Sequence, residues 1–183
     1  KIISKAKYNM TSVRDMRIQS RFGFMKNVSE IYGHYQNYLK KNSVLDFDDL
    51  MLKTIVLFEK HPEVLSIYQN KFQYIHVDEY QDTNVIQYKL IKMLSAVHKN
   101  GCVVGDDDQS IYRLRGGCSD NNINFEKEYD NVELIFLDQN YRSNSTILDA
   151  ANAVIKNNTE RKEKALWSEN KGGGKISVYA ASN

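Results

Sequence analysis

The sequence predicts an α/β fold built on a parallel sheet. Two observations carry this. Between residues 74 and 137 the apolar pattern alternates strand, helix, strand, helix, strand, the order that implies parallel strands joined by right-handed crossovers. Each of the three strands also ends on polar residues: Asp78-Glu79, Gly105-Asp106 and Asp138-Gln139. Ligands of open parallel sheets bind at the carboxyl ends of the strands, so three separate segments deliver acids and amides to one edge. Polar loop starts would account for part of this pattern, but they do not require acids in every loop.

The elements follow in order. Residues 28 to 41 place Ile31, Tyr32, Tyr35, Tyr38 and Leu39 on one helical face. Residues 46 to 59 repeat the pattern with Phe47, Leu50, Met51, Ile55 and Phe58, and Asp46 stands where an N-cap belongs. Pro62, the single proline, is placed to open a short helix. Tyr74 to Val77 reads as a buried strand, and residues 84 to 98 as a helix with Ile86, Leu90, Ile91, Leu94 and Val97 inward. Cys102 to Val104 is a second strand. A helical turn is expected near 109–114 and a helix near 120–129. Val132 to Leu137 is a third strand. Residues 144 to 157 form a helix capped by Ser143 or Asn144, with Ile147, Leu148, Ala151, Val154 and Ile155 inward. Gly172 to Gly174 is a turn before a last strand, Ile176 to Tyr179. There is no internal repeat.

At 183 residues the chain is long enough for one sizeable core or pieces of two domains. The net charge of +2 is too small to argue for a partner, but its distribution is uneven. Residues 1 to 26 carry Lys1, Lys5, Lys7, Arg14, Arg17, Arg21 and Lys26 against the single acid Asp15. Such an arm suits a polyanion, and it equally suits a solvated face. The two cysteines, Cys102 and Cys118, have neither disulfide-framework nor metal-ligand spacing, so a reducing, cytoplasmic setting is expected. No apolar run reaches membrane-spanning length. The chain opens without a methionine and closes just after a strand-like run, so it is expected to be a piece of a longer protein.

Three stretches carry chemistry. In "VDEYQDTN", residues 77 to 84, Asp78 fits a magnesium ligand, because magnesium prefers carboxylate and phosphate oxygens and keeps its waters. Glu79 is placed to orient or deprotonate an attacking water. In "VVGDDDQSIYRLRGG", residues 103 to 117, Gln109 fits a contact to a terminal phosphate or to the water attacking it. Tyr112, Arg113 and Arg115 mix an aromatic ring with guanidinium groups, as single-strand nucleic-acid surfaces do. In "DQNYRSNSTI", residues 138 to 147, Tyr141 suits stacking on a base and Arg142 suits charge stabilisation at a transferring phosphoryl group. Taken singly, the second stretch also fits a solvated turn, and the Tyr-Arg pair fits a surface ion pair.

Together, "VDEYQDTN", "VGDDDQSIYRLRG" and "QNYRS", in this order and at these intervals, closely resemble motifs II, III and IV of the UvrD/PcrA/Rep group of superfamily 1A DNA helicases. "LDFDDL" at 45 to 50 and "RKEKALWSEN" at 161 to 170 resemble further segments of that family. The resemblance covers most of the chain from about residue 27 onward. It implies an incomplete RecA-like P-loop NTPase motor domain plus a helical segment of an inserted 1B subdomain. The boundaries expected are residues 1–45 for the helical part of 1B, 46–138 for the second part of domain 1A, and 139–183 for the start of domain 2A. The cofactors implied are ATP and Mg2+, and the partners are single-stranded and duplex DNA, unwound in the 3′ to 5′ direction.

By motif position, the resemblance assigns magnesium to Asp78 and the catalytic base to Glu79. Gln109 senses the terminal phosphate. Tyr141 stacks on adenine and Arg142 contacts the terminal phosphate. Tyr112, Leu114 and Arg115 lie toward DNA. The family usually has Trp where this chain has Leu114, and leucine offers apolar contact without a π face. The family's Walker A loop is not found in these residues. "GGGKI" at 172 to 176 lacks the leading glycine, has Ile176 where Ser or Thr would bind magnesium, and precedes a strand-like run. These residues alone are therefore expected not to hydrolyse ATP. Three other readings stand beside the helicase: the motor part of an AddA/RecB-type helicase-nuclease, a DNA-binding module without ATPase activity, and a two-metal carboxylate nuclease using Asp78, Glu79 and Asp106 to Asp108. The last explains the acids but neither Gln109 nor the "QNYRS" loop.

Overall fold

The computed structural model describes residues 1–20, 22–109, 125, 129, 131–158 and 164–180. The chain divides into two compact units, Lys1–Phe125 and Glu126–Asn183.

The first unit opens with α1 (Ile2–Tyr8), α2 (Val13–Gln19) and α3 (Phe24–Lys41). Ser12 and Asp15 form a reciprocal capping box at the start of α2. Ala6, Met16, Val28 and Tyr32 form the core among these three helices, with Ile3 and Val13 against it. Gly33 on α3 faces α2, where a Cβ would stand 3.4 Å from Val13 Cγ1 and 2.7 Å from the movable Arg17 guanidinium. The basic segment is thus folded. One of its cations, Lys7, is fully buried and paired with Asp46 and Asp49, so it offers no charge to a polyanion.

Helix α4 (Phe47–Lys60) starts where expected, with the Asp46 carboxylate accepting the Asp49 amide. Pro62 opens α5 (Pro62–Lys71). Ile55 and Phe58 of α4 are buried, and Phe58 packs on Tyr68 with ring centroids 5.5 Å apart. Phe47 and Leu50, expected inward, are exposed.

Strand β1 (Ile75–Val77), helix α6 (Val85–Ser95) and strand β2 (Gly101–Val103) form a β-α-β unit. The strands are parallel, pairing Ile75 with Gly101, His76 with Cys102 and Val77 with Val103. Asn84 and Gln87 cap α6 reciprocally. The strands are less covered than their composition suggested: His76 and Cys102 are exposed. Ile86 is fully buried, whereas Val97 lies beyond the end of α6 and is exposed.

In the second unit, α7 (Ser145–Ile155) is capped by Asn144, whose side chain accepts the Ile147 amide. Leu148 is its buried residue, while Ile147 and Val154 are exposed. The expected strands at 132–137 and 176–179 carry no ladder. A run apolar on both faces forms an interior parallel strand only between neighbours. Among the described residues of this unit, its vicinity holds a single parallel bridge, Gln139 with Trp167, and Leu134 to Leu137 are exposed. The turn expected at 109–114 and the helix at 120–129 fall largely outside the described residues; the short 3-10 turn Asp107–Gln109 precedes them.

Candidate functional site

The site is built at the carboxyl end of β1. The ladder continues past the strands: the Val104 amide donates to Val77 O at 2.8 Å, and the Tyr80 amide donates to Val104 O at 2.9 Å. Between these bonds the chain turns at Asp78 and Glu79. Glu79 takes a left-handed backbone conformation, φ 50° and ψ 42°, which costs a non-glycine residue roughly 1–2 kcal/mol. The turn is held by local bonds. Asp78 Oδ1 accepts the Glu79 amide at 2.9 Å, and Glu79 O accepts the Asp82 amide at 2.9 Å. The 3-10 turn Tyr80–Asp82 follows and hands the chain to the Asn84 cap of α6. Tyr80 is buried and meets Phe125 edge-on at 5.8 Å. The anchor is thus apolar and buried, while both acids are exposed to solvent.

The loop after β2 joins this turn through Gln81. Its Nε2 donates to Glu79 Oε2 at 2.6 Å, and its Oε1 accepts the Asp106 amide at 3.0 Å. Asp106 in turn accepts the Gln109 side-chain amide at 2.6 Å and the Asp108 amide at 3.1 Å. The predicted residues Asp78, Glu79 and Gln109 therefore belong to one connected cluster. Its connectors are Gln81, to which the sequence pattern gave no role, and Asp106, which it offered only as a metal ligand of the nuclease alternative. The sequence shows Gln81 only as a polar residue beside Tyr80, and its burial in the folded chain reveals its use.

In the second unit, Asn140 shapes the loop that carries Tyr141 and Arg142. Its Oδ1 accepts the amides of Arg142 at 2.9 Å and Ser143 at 2.7 Å. Its own amide donates to Trp167 O at 2.7 Å, and the Trp167 amide donates to Asp138 O at 3.0 Å. Both Tyr141 and Arg142 are exposed, and the tyrosine hydroxyl donates to Gln139 Oε1 at 2.9 Å. Gly173, at φ +141°, lies so close to Asn144 that a Cβ would meet its side chain at 2.5 Å. Tyr112, Leu114 and Arg115 lie outside the described residues.

Magnesium fits the donor set at β1. Among the described residues no three His, Cys, Asp or Glu side chains converge into an all-protein metal cage. Asp78 presents an exposed carboxylate, and magnesium is usually held by one or two carboxylates together with substrate phosphates and water.

Comparison with known proteins gives this cluster its context. Residues 1–130 match the UvrD/REP helicase N-terminal domain, and residues 135–183 match the UvrD-like helicase C-terminal domain. The chain is 54% identical over 179 residues to an ATP-dependent DNA helicase PcrA of Staphylococcus aureus, covering 98% of this chain and 24% of the relative. It is 54% identical over 181 residues to the Bacillus subtilis protein of the same name, covering 99% and 24%. Against that of Staphylococcus epidermidis it is 52% identical over 179 residues, covering 98% and 25%. The chain thus spans about a quarter of the length of these relatives. With both matches in order along nearly its whole length, the chain belongs to the UvrD/REP helicase family.

Proposed function

We propose that these residues are part of an ATP-driven DNA helicase motor that moves 3′ to 5′. The observation that carries this is the cluster at β1: an exposed Asp78-Glu79 pair on a buried anchor, bonded to the loop that bears Gln109. Motor chemistry of this kind is mostly positioning and electrostatics, so preset side chains matter more than covalent steps. Asp78 would hold Mg2+, which when bound neutralises phosphate charge. Glu79 takes the proton of the attacking water, and Gln109 registers the terminal phosphate. Tyr141 stacks on the adenine, and Arg142 supplies positive charge to the same phosphate. Tyr112, Leu114 and Arg115 face single-stranded DNA. Residues 1–45 are read as the helical part of subdomain 1B, 46–138 as the second part of RecA-like domain 1A, and 139–183 as the start of domain 2A.

The acids of the second loop favour this reading over a two-metal nuclease. Asp106 directs its carboxylate at the Gln109 side chain and the Asp108 amide, which suits an organiser of the loop. The test uses the full gene product that carries these residues. Single-stranded DNA should stimulate its ATP turnover, and it should unwind a duplex with a 3′ tail. DNA binding without turnover would establish the binding-module reading. Metal-dependent strand cleavage that survives Arg142→Ala and needs no ATP would establish the nuclease.

A further inference from the structure

We infer that Gln81 is a positioning residue that holds the Glu79 carboxylate and the Asp106–Gln109 loop in one arrangement. The inference rests on the reading of Glu79 as the base.

Gln81 is only 3% exposed, and its two amide ends serve two different loops. The Nε2 end donates to the Glu79 carboxylate at 2.6 Å, a short bond to a charged acceptor. The Oε1 end accepts the backbone amide of Asp106 at 3.0 Å. These partners set the amide's orientation. Turned over, it would place an oxygen against a carboxylate and an NH2 against an N–H. Burial keeps water from substituting for either partner, so the side chain acts as a strut of fixed length. Asp106 extends the connection by accepting the Gln109 side chain at 2.6 Å. One chain of bonds from Glu79 to Gln109 therefore runs through Gln81 and Asp106.

Glu79 needs such a strut. Its exposed side chain follows a left-handed backbone turn, and Gln81 is the side chain seen bonded to its carboxylate. A base displaced by about 1 Å loses on the order of 100-fold in rate. A shift of Asp106 is felt at the Glu79 carboxylate through this amide. The strut thus makes the position of the base depend on the position of the loop that carries Gln109.

The test compares Gln81→Met and Gln81→Glu in the full gene product. Methionine keeps the length and loses both bonds. Glutamate keeps an acceptor for the Asp106 amide but sets a carboxylate against Glu79. Both variants should lower DNA-stimulated kcat about 10- to 100-fold. Binding of a non-hydrolysable ATP analogue should stay within about 3-fold, because no nucleotide contact is removed. Wild-type kcat in either folded variant overturns the inference, as do equal losses in kcat and analogue affinity. Should Gln81→Met fail to melt cooperatively, Gln81→Glu decides by itself. Unfolding of both would mark Gln81 as purely structural and overturn the proposal. Glu79→Gln is measured in parallel. If it retains turnover, the reading of Glu79 has failed; if it is inactive while the Gln81 variants are active, only the strut has failed.

Discussion

Two acid-rich turns of the first unit, Asp46–Asp49 and Asp78–Asp82, resemble each other in composition and differ in fate. At the first, the acids face inward. Lys7 Nζ, with no exposed surface, lies 2.6 Å from Asp46 Oδ2 and 3.0 Å from Asp49 Oδ1. Asp46 also accepts the Tyr35 hydroxyl at 2.8 Å, and Lys7 sits 5.3 Å from the centre of that ring. The Asp49 contact is an ion pair without hydrogen-bond geometry on either oxygen. At the second turn, the buried side chains Tyr80 and Gln81 are neutral, and Asp78 and Glu79 are exposed. The difference teaches that a cluster of acids is a site only where its charges are left for a ligand. In "LDFDDL" they are consumed internally, tying α1 and α3 to the start of α4.

The largest expected effect would break this contrast from the inner side. Lys7→Met leaves Asp46 and the buried Asp49 without their cation. Removing one partner of a buried pair typically costs about 3–5 kcal/mol, so urea unfolding should show a loss of that size. A loss below about 1 kcal/mol would mean the cluster is solvated in solution. The pH dependence sharpens the same point. Burial works to raise the Asp46 pKa, but hydrogen bonds from Lys7, the Asp49 amide and Tyr35 together outweigh it and hold the carboxyl below its usual range. A depressed pKa stabilises the fold above the unfolded value, about 4, and that contribution is lost as the pH falls through the folded value. The stability gap between wild type and Lys7→Met should therefore narrow in melts taken from pH 6 to pH 2–3. A gap that widens on acidification would contradict the assignment.

The next effect probes the outer turn. Glu79→Gln in the full gene product should cut ATP hydrolysis by about 100-fold or more, the usual cost of losing a general base, with ATP binding nearly unchanged. Thermal stability should hardly move, because this acid is exposed. Equal losses in binding and turnover would give Glu79 a structural role like that of Asp46. The smallest effect concerns the loop that begins at Asp106. Base stacking on an aromatic ring contributes about 1–3 kcal/mol, and leucine recovers only part of it. Leu114→Trp should tighten single-stranded DNA binding by roughly 1 kcal/mol with little change in salt dependence, since it adds no phosphate contact. Titrations at two salt concentrations read both quantities. Unchanged affinity with a lower Tm would place Leu114 in the core.

Local features were legible in the sequence. Asp46 caps α4 and Asn144, one of the two residues offered for that role, caps α7, because each bonds to its own next turn; Pro62 opens α5 because its fixed φ suits a first helical position that needs no N–H. The order of β1, α6 and β2 and the acids at the exit of β1 followed from short-range patterning. The run 132–137 shows the limit of that patterning, since an apolar segment becomes a strand only when another segment supplies the hydrogen bonds.

The sequence by itself determined the family, the starts of α4, α5 and α7, and the positions of Asp78, Glu79 and Gln109 along the chain, since all of these are encoded in residue types at short spacing. Only the tertiary structure decided which charges are consumed and which are offered. Lys7 meets Asp46 across 39 residues and Gln81 meets Asp106 across 25. Such pairings arise from how helices and loops pack, and the burial that makes them strong belongs to the folded chain alone.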